Sequence, residues 1–455
     1  MTITGLGAAA LALAGEPDAG RQPLEWLEMV RTKFHGTEFA LWEDGADHEG
    51  VPYWTYGVEY MPKWWHLSSQ LLNDHPTSPW WKKTAAYRLY LGLPRDSWTA
   101  SNTVVDIADG PRADYYGADH IMHRLAQLNR DGHAQWLAEE LVKAHATHDE
   151  AGWLNLFWYD PSLPAVAPTN LATLHHFDDL EIVSARSGWS GSESLVVYKC
   201  GPPAGHAAQS KFSTDPCSGH AHPDANHFIV FGEGEWLIRD DGYTRKITAQ
   251  HNTLVVDGKG QLGEGGPWLK GDAWFPGPDE DPRILTVRST RALDEITGEA
   301  APAYPAALGI KSFVRRLYFL KPDVLIVADE IETDRERRLE LCFHPEHPPE
   351  KTADGSYRSK GEKAALRIEP LTPEGLEITT GDVLMSRSEG SGRGLHMPEI
   401  KLGCQRAKWR NVVALTWSRM GVEPVRAVLH REGESWTVQA GGRKVALKWN
   451  ENIRA

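Results

Sequence analysis

Residues 218–261 read SGHAHPDANHFIVFGEGEWLIRDDGYTRKITAQHNTLVVDGKGQ. Three potential metal ligands stand in this stretch, His222, Asp240 and His251, and His220 lies two residues before the first of them. Between them run two strand-like segments, HFIVF and EWLIR, joined by the turn GEGE. A hairpin returns the chain on itself, so it can bring the outer ends of both segments to one place. Imidazole and carboxylate together suit zinc or a similar borderline ion. The stretch holds neither an HExxH helix nor a CxxC pair, so three buried polar side chains satisfied by the surrounding sheet remain the alternative.

Outward from this hairpin the chain keeps its β character. From about residue 176 the segments LVVYK, HFIVF, EWLIR, NTLVVD, SFVRRLYFL, DVLIVADEIE, RLELCFH, NVVALTWS, RAVLHR, SWTVQA and KVALKW are short, β-branched or alternating, and bounded by turns. Eleven such segments predict a large antiparallel β-sandwich. Upstream the period changes. PLEWLEMVRTKF, YMPKWWHLSSQLL, WKKTAAYRLYLG, ADHIMHRLAQLN and DGHAQWLAEELVKAHA carry apolar residues at three and four spacing. Gly and Pro punctuate between them. Helix pairs of this kind fit an incomplete α/α-toroid. The fold class is therefore α+β in two domains, helical over 1–175 and sandwich over 176–455, with 161–175 as linker.

MTITGLGAAALALAGE at the start admits a signal peptide or a helix. No Lys or Arg precedes Arg21, which removes the basic n-region and favours a helix running on into EPDAGRQPLEWLEMV. At 455 residues the chain can bury two or three cores, and no apolar run is long enough for a membrane span. A net charge of −14 argues against nucleic acid, but a local basic cleft could still hold an anionic polymer. Cys200, Cys217, Cys342 and Cys404 are widely spaced and read as core thiols rather than a disulfide framework, with a single bridge left open. Most of the nineteen tryptophans are expected to pack cores.

The words HAHPDANHF, DDGY and HNTLVVDGKGQ resemble the C-terminal region of the heparinase II/III-like polysaccharide lyases, closest to the branch with exo-acting alginate lyases. The family pattern is H-x-H-x-D, two strands, D-x-G, then H-N-T. The resemblance implies that His220 is catalytic and that His222, Asp240 and His251 hold a structural zinc. EDGADHEGVPYWTYGVEY, residues 43–60, resembles the family word that carries the catalytic tyrosine. It implies Tyr53 as acid and base, with Tyr56 as runner-up; core packing of these rings is the alternative. In the family a catalytic Asn or His lies just upstream of an apolar helix like the one at the start here. The resemblance therefore implies a chain without the first half of the helical domain. It extends over roughly residues 1–450 and is sharp at 43–60 and 218–261.

The implied chemistry is β-elimination. A base removes the C5 proton beside a uronate carboxylate while the glycosidic oxygen leaves C4. The carboxylate must be neutralised so that negative charge can build on it, and an acid must meet O4. A tyrosine serving as base needs a neighbouring cation, because its ordinary pKa is about 10. His220 would act as base or neutraliser, with Asp224 orienting the site. Arg239, Arg245 and His344 are the candidates for substrate contact, and His175 and His176 read as structural. The partner is an anionic poly- or oligosaccharide, with alginate, heparan-type chains and other uronates all open, and a homo-oligomer is also left open. A polymeric substrate implies a periplasmic or secreted protein. Two other readings stay beside the lyase: a non-catalytic glycan-binding protein on the same scaffold, and a metal-dependent glycan hydrolase if the ion keeps an open coordination position.

Overall fold

The computed structural model describes residues 1–100, 102–110, 117–148, 151–212, 219–243, 246–265, 281–385 and 396–449. The chain divides into two compact units. The first comprises Met1–Gly92, Trp98–Val105 and Ala113–Pro168; the second comprises Leu93–Ser97, Asp106–Arg112 and Thr169–Ala455. The division thus falls at 168/169, and two short pieces of the helical half go with the second unit. Where the linker was expected, a 3-10 turn spans Pro168–Asn170 and the first strand begins at Leu174.

The first unit is helical: α1 (Thr2–Leu13), α2 (Gln22–Ala40), α3 (Gly50–Leu71), α4 (Trp80–Tyr90), α5 (Asp119–Asn129), α6 (Gly132–Lys143) and α7 (Asn155–Trp158). The expected continuous first helix is two. Gly15 and Gly20 take positive φ, +95° and +62°, and Pro23 starts the next helix, so α1 ends and α2 begins afresh. Gly7 lets α1 lie against α3, since a Cβ there would meet the Trp64 ring at 2.5 Å. Phe34 stacks on Trp64 with centroids 5.4 Å apart. Trp54, Trp64, Trp65, Trp80 and Trp158 are fully buried, the packing role expected of most tryptophans.

Among its described residues the second unit has three antiparallel sheets. One orders β1 (Leu174–Phe177), β2 (Ile182–Arg186), β3 (Leu195–Lys199), β4 (His227–Gly232) and β5 (Glu235–Ile238), with α8 (His206–Lys211) between β3 and β4. The large sheet contains β6 (Leu254–Val256), β7 (Arg283–Ser289), β8 (Leu293–Glu299), β9 (Ile310–Leu320), β10 (Val324–Phe343), β11 (Glu350–Lys351), β12 (Tyr357–Lys360), β13 (Ala364–Pro370), β14 (Glu377–Leu384) and β15 (His396–Arg419). The third pairs β16 (Ala427–Glu432), β17 (Ser435–Ala440) and β18 (Arg443–Leu447). DVLIVADEIE and RLELCFH, two segments in the sequence, are one strand, β10, whose register against β15 shifts between Glu332 and Arg337.

Alternation sets the layers. Val196, Tyr198, Phe228 and Val230 from the first sheet share a core with Phe313, Leu317, Leu325, Val327, Leu339 and Leu341 from the large one. The opposite face of the large sheet, with Tyr318, Ile326 and Val412, packs on Val438 and Val445 of the third sheet. Cys200, Cys342 and Cys404 are buried free thiols, and Cys217 lies outside the described residues.

A candidate metal centre in the second unit

The hairpin that holds the ligands is built by local rules. Glu233 and Gly234 both take positive φ, +54° and +76°, as a two-residue type I′ connection requires. Phe231 faces Trp236 across the strands in an edge-to-face pair 5.3 Å apart. A bulge follows between Val230 and Phe231. Gly232 is required where it stands, because a Cβ would come within 2.4 Å of the buried Trp417 indole. Asn252 then closes the open end. Its amide donates to the carbonyls of Phe228 and Arg239, both at 2.8 Å, and its side-chain oxygen accepts the His344 N–H at 2.7 Å. One buried side chain thus ties β4, the end of β5 and the end of β10 together beside His251.

His222, Asp240 and His251 converge as the sequence predicts: each offers a ligand atom, and these atoms lie within 4.8 Å of one another, all buried. Their hydrogen bonds fix which nitrogens are bare. His251 Nδ1 donates to the Ile247 carbonyl at 3.0 Å, which leaves Nε2 as a lone pair. His222 Nε2 donates to Asp109 at 2.9 Å, which leaves Nδ1 as a lone pair. These two bare nitrogens face each other at 2.9 Å. Burial pushes both imidazoles down to about 3, so each ring holds a single proton near neutrality, and the outward hydrogen bonds take it. Two unprotonated lone pairs pointing at one another call for a cation between them.

The surrounding charge asks for the same thing. Asp106, Asp109, Asp224, Asp240 and Asp241 are all at most 3% exposed. The buried cations among them are Lys199, Arg239 and Lys246. Burial, reinforced by Asp106, Asp224 and Asp241, drives the Asp240 carboxyl well above its usual range. A divalent cation would reverse that penalty. The donor set of two imidazoles and a carboxylate suits zinc. The arrangement of Asp109 on the far nitrogen of His222 is the carboxylate–histidine support that metal-bound imidazoles commonly have. Asp109 is itself raised to about 6 by burial, against Lys246, whose ammonium lies 3.2 Å away.

Sequence reasoning missed Asp106, Asp109, Lys246, His227 and Asn252. The two aspartates come from more than a hundred residues upstream and have no motif. In the sequence His227 reads as the first residue of the strand HFIVF. It contacts Asp240 Oδ2 from Nε2 at 3.6 Å.

The other predicted residues fall variously. His220 is half-buried, and burial lowers its pKa despite the opposing field of Asp109. Its carbonyl accepts the Asp109 N–H at 3.1 Å, which places it beside the cluster. Tyr53 and Tyr56 lie on α3 of the first unit, half-buried and edge to face with centroids 6.4 Å apart. They stand in the first two turns of α3, just after the loop 43–49 that begins the word, and neither is enclosed in the core. Arg239 is corrected: it is 5% exposed, its Nε donates to Asp106 at 3.1 Å, and its guanidinium lies over the Trp236 ring at 4.5 Å. A guanidinium committed in this way cannot also fork a substrate carboxylate. His344 is corrected likewise, since it is fully buried with its ring nitrogens on the carbonyls of Ala249 and Pro398. Arg245 lies outside the described residues. Asp224 is buried against Lys199. His176 bonds Glu181 at 2.6 Å, in keeping with a structural role, and His175 packs on Phe177.

Solved structures share this fold. The heparan sulfate lyase HepC of Pedobacter heparinus superposes with a TM-score of 0.67 at 13% identity, over 98% of this chain and 64% of that one. A heparinase III superposes with a TM-score of 0.73 at 13% identity, over 98% of this chain and 66% of that one. The chain therefore spans about two thirds of the length of these proteins. Among the described residues no helix is long and apolar enough to cross a membrane. Residues 170–450, more than half of the chain and the whole of the candidate centre except the segment bearing Asp106 and Asp109, match the family described as heparinase II/III-like, C-terminal, and the protein belongs to that family.

Proposed function

We propose that the protein is a polysaccharide lyase that cleaves a uronate-containing glycan by β-elimination, with heparan-type chains as its first substrate class and alginate as the second. The observation that carries this reading is the closing of the H-x-H-x-D, D-x-G and H-N-T words into one buried His–Asp–His cluster with His220 beside it. The heparan preference rests on what the similar structures are called, heparan sulfate lyase and heparinase III.

His222, Asp240 and His251 would hold zinc, which would supply a fixed charge that pins the hairpin and neutralises the buried aspartates. The chain's own residues do the rest. Asp109 fixes the backbone at His220 through its N–H on the His220 carbonyl, and Asn252 and the bulged hairpin hold the strands that carry the ligands. The lowered pKa of His220 keeps its ring neutral near pH 7, so it can take up the C5 proton and return it to solvent after the product leaves. A phenol, Tyr53 or Tyr56, gives its proton to the departing O4 oxygen and recovers one from solvent. The electron pair from the C5–H bond forms the 4,5 double bond as the C4–O bond breaks. With His220 as the base, neutralisation of the carboxylate falls to Arg245, because Arg239 is held by Asp106. Such a substrate is met in a periplasmic or extracellular setting.

The test follows near-ultraviolet absorbance of the unsaturated product with heparan sulfate, alginate and hyaluronan. Absorbance should grow with at least one polymer and fall about 10²–10⁴-fold in His220→Ala. New reducing ends without absorbance would instead establish a hydrolase. Binding with no cleavage of any polymer would establish a glycan-binding protein.

A further inference from the structure

His227 is 1% exposed and sits against the candidate ligands, with its ring 5.2 Å from that of His251. By residue type it would be a natural fourth ligand. Its hydrogen bonds exclude that. Nδ1 accepts the Asn252 backbone N–H at 2.9 Å, so Nδ1 carries no proton. A neutral imidazole with a bare Nδ1 has its proton on Nε2, and a protonated nitrogen has no lone pair for a metal. That Nε2–H is buried and has no hydrogen-bond partner among the described residues. It points at Asp240 Oδ2 across 3.6 Å, longer than a hydrogen bond but close enough to become one after a small carboxylate shift. The other oxygen, Oδ1, already accepts the Gly242 N–H at 2.9 Å.

We infer that His227 is a positioning residue that holds the Asp240 carboxylate toward the ion from outside the ligand set, and that its Nε2 never ligates the metal. The inference rests on the zinc reading above and deepens it. It assigns the protein three ligands from the described cluster and makes Asn252, through its backbone N–H, the residue that fixes the His227 tautomer. A leucine at 227 would remove the donor, and a glutamine would keep an N–H at a similar reach.

The experiment compares the full chain with His227→Leu and His227→Gln, each stripped with chelator and titrated with zinc against a chromophoric competitor. The melting temperature of each is read with and without zinc. Loss of a supporting group outside the ligand set costs about 10–100-fold in metal affinity. His227→Leu should lose that much, and the zinc-dependent gain in melting temperature should shrink with it. His227→Gln should recover most of both. Equal zinc affinity in His227→Leu and wild type, with equal melting losses in the stripped and loaded forms, would reduce His227 to packing and overturn the inference. Should the leucine variant not fold, nitrogen NMR of ¹⁵N-histidine wild type decides. An Nε2–H tautomer retained on metal loading supports it, and coupling of His227 nitrogen to bound ¹¹³Cd overturns it. A wild-type chain that takes up no zinc would sink the metal reading itself, a result separable from all of these.

Discussion

Two of the histidine–carboxylate clusters among the described residues of the second unit use the same residue types to opposite ends. In the first, the hydrogen bonds of His222 and His251 run outward, to Asp109 and to the Ile247 carbonyl, and the inner nitrogens are bare and face each other. In the second, His206 has a carboxylate on each ring nitrogen, Asp281 on Nδ1 at 3.0 Å and Glu181 on Nε2 at 3.1 Å, and Glu181 also takes His176. Its hydrogen-bonded and charged acids raise His206 to about 9 against burial, so the ring carries its own positive charge. His222 and His251 are pushed the other way, to about 3. The content of histidine and acid does not distinguish a metal site from a salt link. The side of the ring on which the acids sit does.

The largest expected effect breaks the first cluster and spares the second. Asp240→Asn removes the charged ligand, and His251→Ala removes a nitrogen. Either should abolish stoichiometric zinc after dialysis, measured as metal per chain. Structural zinc sites can contribute about 10–16 kcal/mol of apparent binding energy in small domains, so chelation of the wild type should lower its melting temperature by several degrees at least. Full zinc retention in both variants would mean that the paired nitrogens are not a metal site. A smaller effect tests the outward carboxylate. Asp109→Asn keeps an acceptor but loses the charge behind His222, and zinc affinity should fall about 10–100-fold. No change in that variant would show that the far-side carboxylate does not set the first cluster's character.

The two clusters were unequally legible in the sequence. His222, Asp240 and His251 sit in one stretch with turn residues between two alternating strands, so a hairpin alone suffices to gather them. Asp106 and Asp109 approach from a segment embedded in the helical half, and nothing local to them predicts that route. His227 was hidden by its own context, as the first letter of an apolar strand. Arg239 misled because residue type suggested a substrate fork, whereas its partner Asp106 lies outside the motif. The same logic governs the fold. β10 and the second half of β15, NVVALTWS, show strongly because they carry β-branched and other apolar residues on buried faces, whereas the first half of β15, HMPEIKLGCQRAKWR, does not. β8, LDEITGE, buries Asp294, Ile296 and Gly298, so its inward side offers one large apolar residue. Gly298 has to be small, because a Cβ would meet the Tyr198 hydroxyl at 2.2 Å. The break between α1 and α2 rests on two glycines whose positive φ the sequence permits but does not demand.

The smallest effect belongs to the second cluster and has its own pH signature. His206 gains a proton-holding environment on folding, so its folded pKa, about 9, stands above its ordinary value of 6.5. Its contribution is complete below about pH 6.5 and is lost as pH rises through 9. Glu181 moves oppositely: the hydrogen bonds from His176 and His206 outweigh burial and hold it below 4.5, so its share is present above pH 4.5 and is lost as acid protonates it. Together they give a plateau between about pH 4.5 and 6.5 with a decline on either side. The imidazole is partly solvent-exposed, which discounts the link to about 1–2 kcal/mol. Melting of wild type and His206→Gln across pH 5 to 10 should show the largest gap at pH 5–6.5 and a closing gap above pH 9, with zinc content unchanged throughout. A gap that stays constant to pH 10 would mean that His206 contributes packing rather than charge. Loss of zinc in the variant would mean that the two clusters are coupled after all.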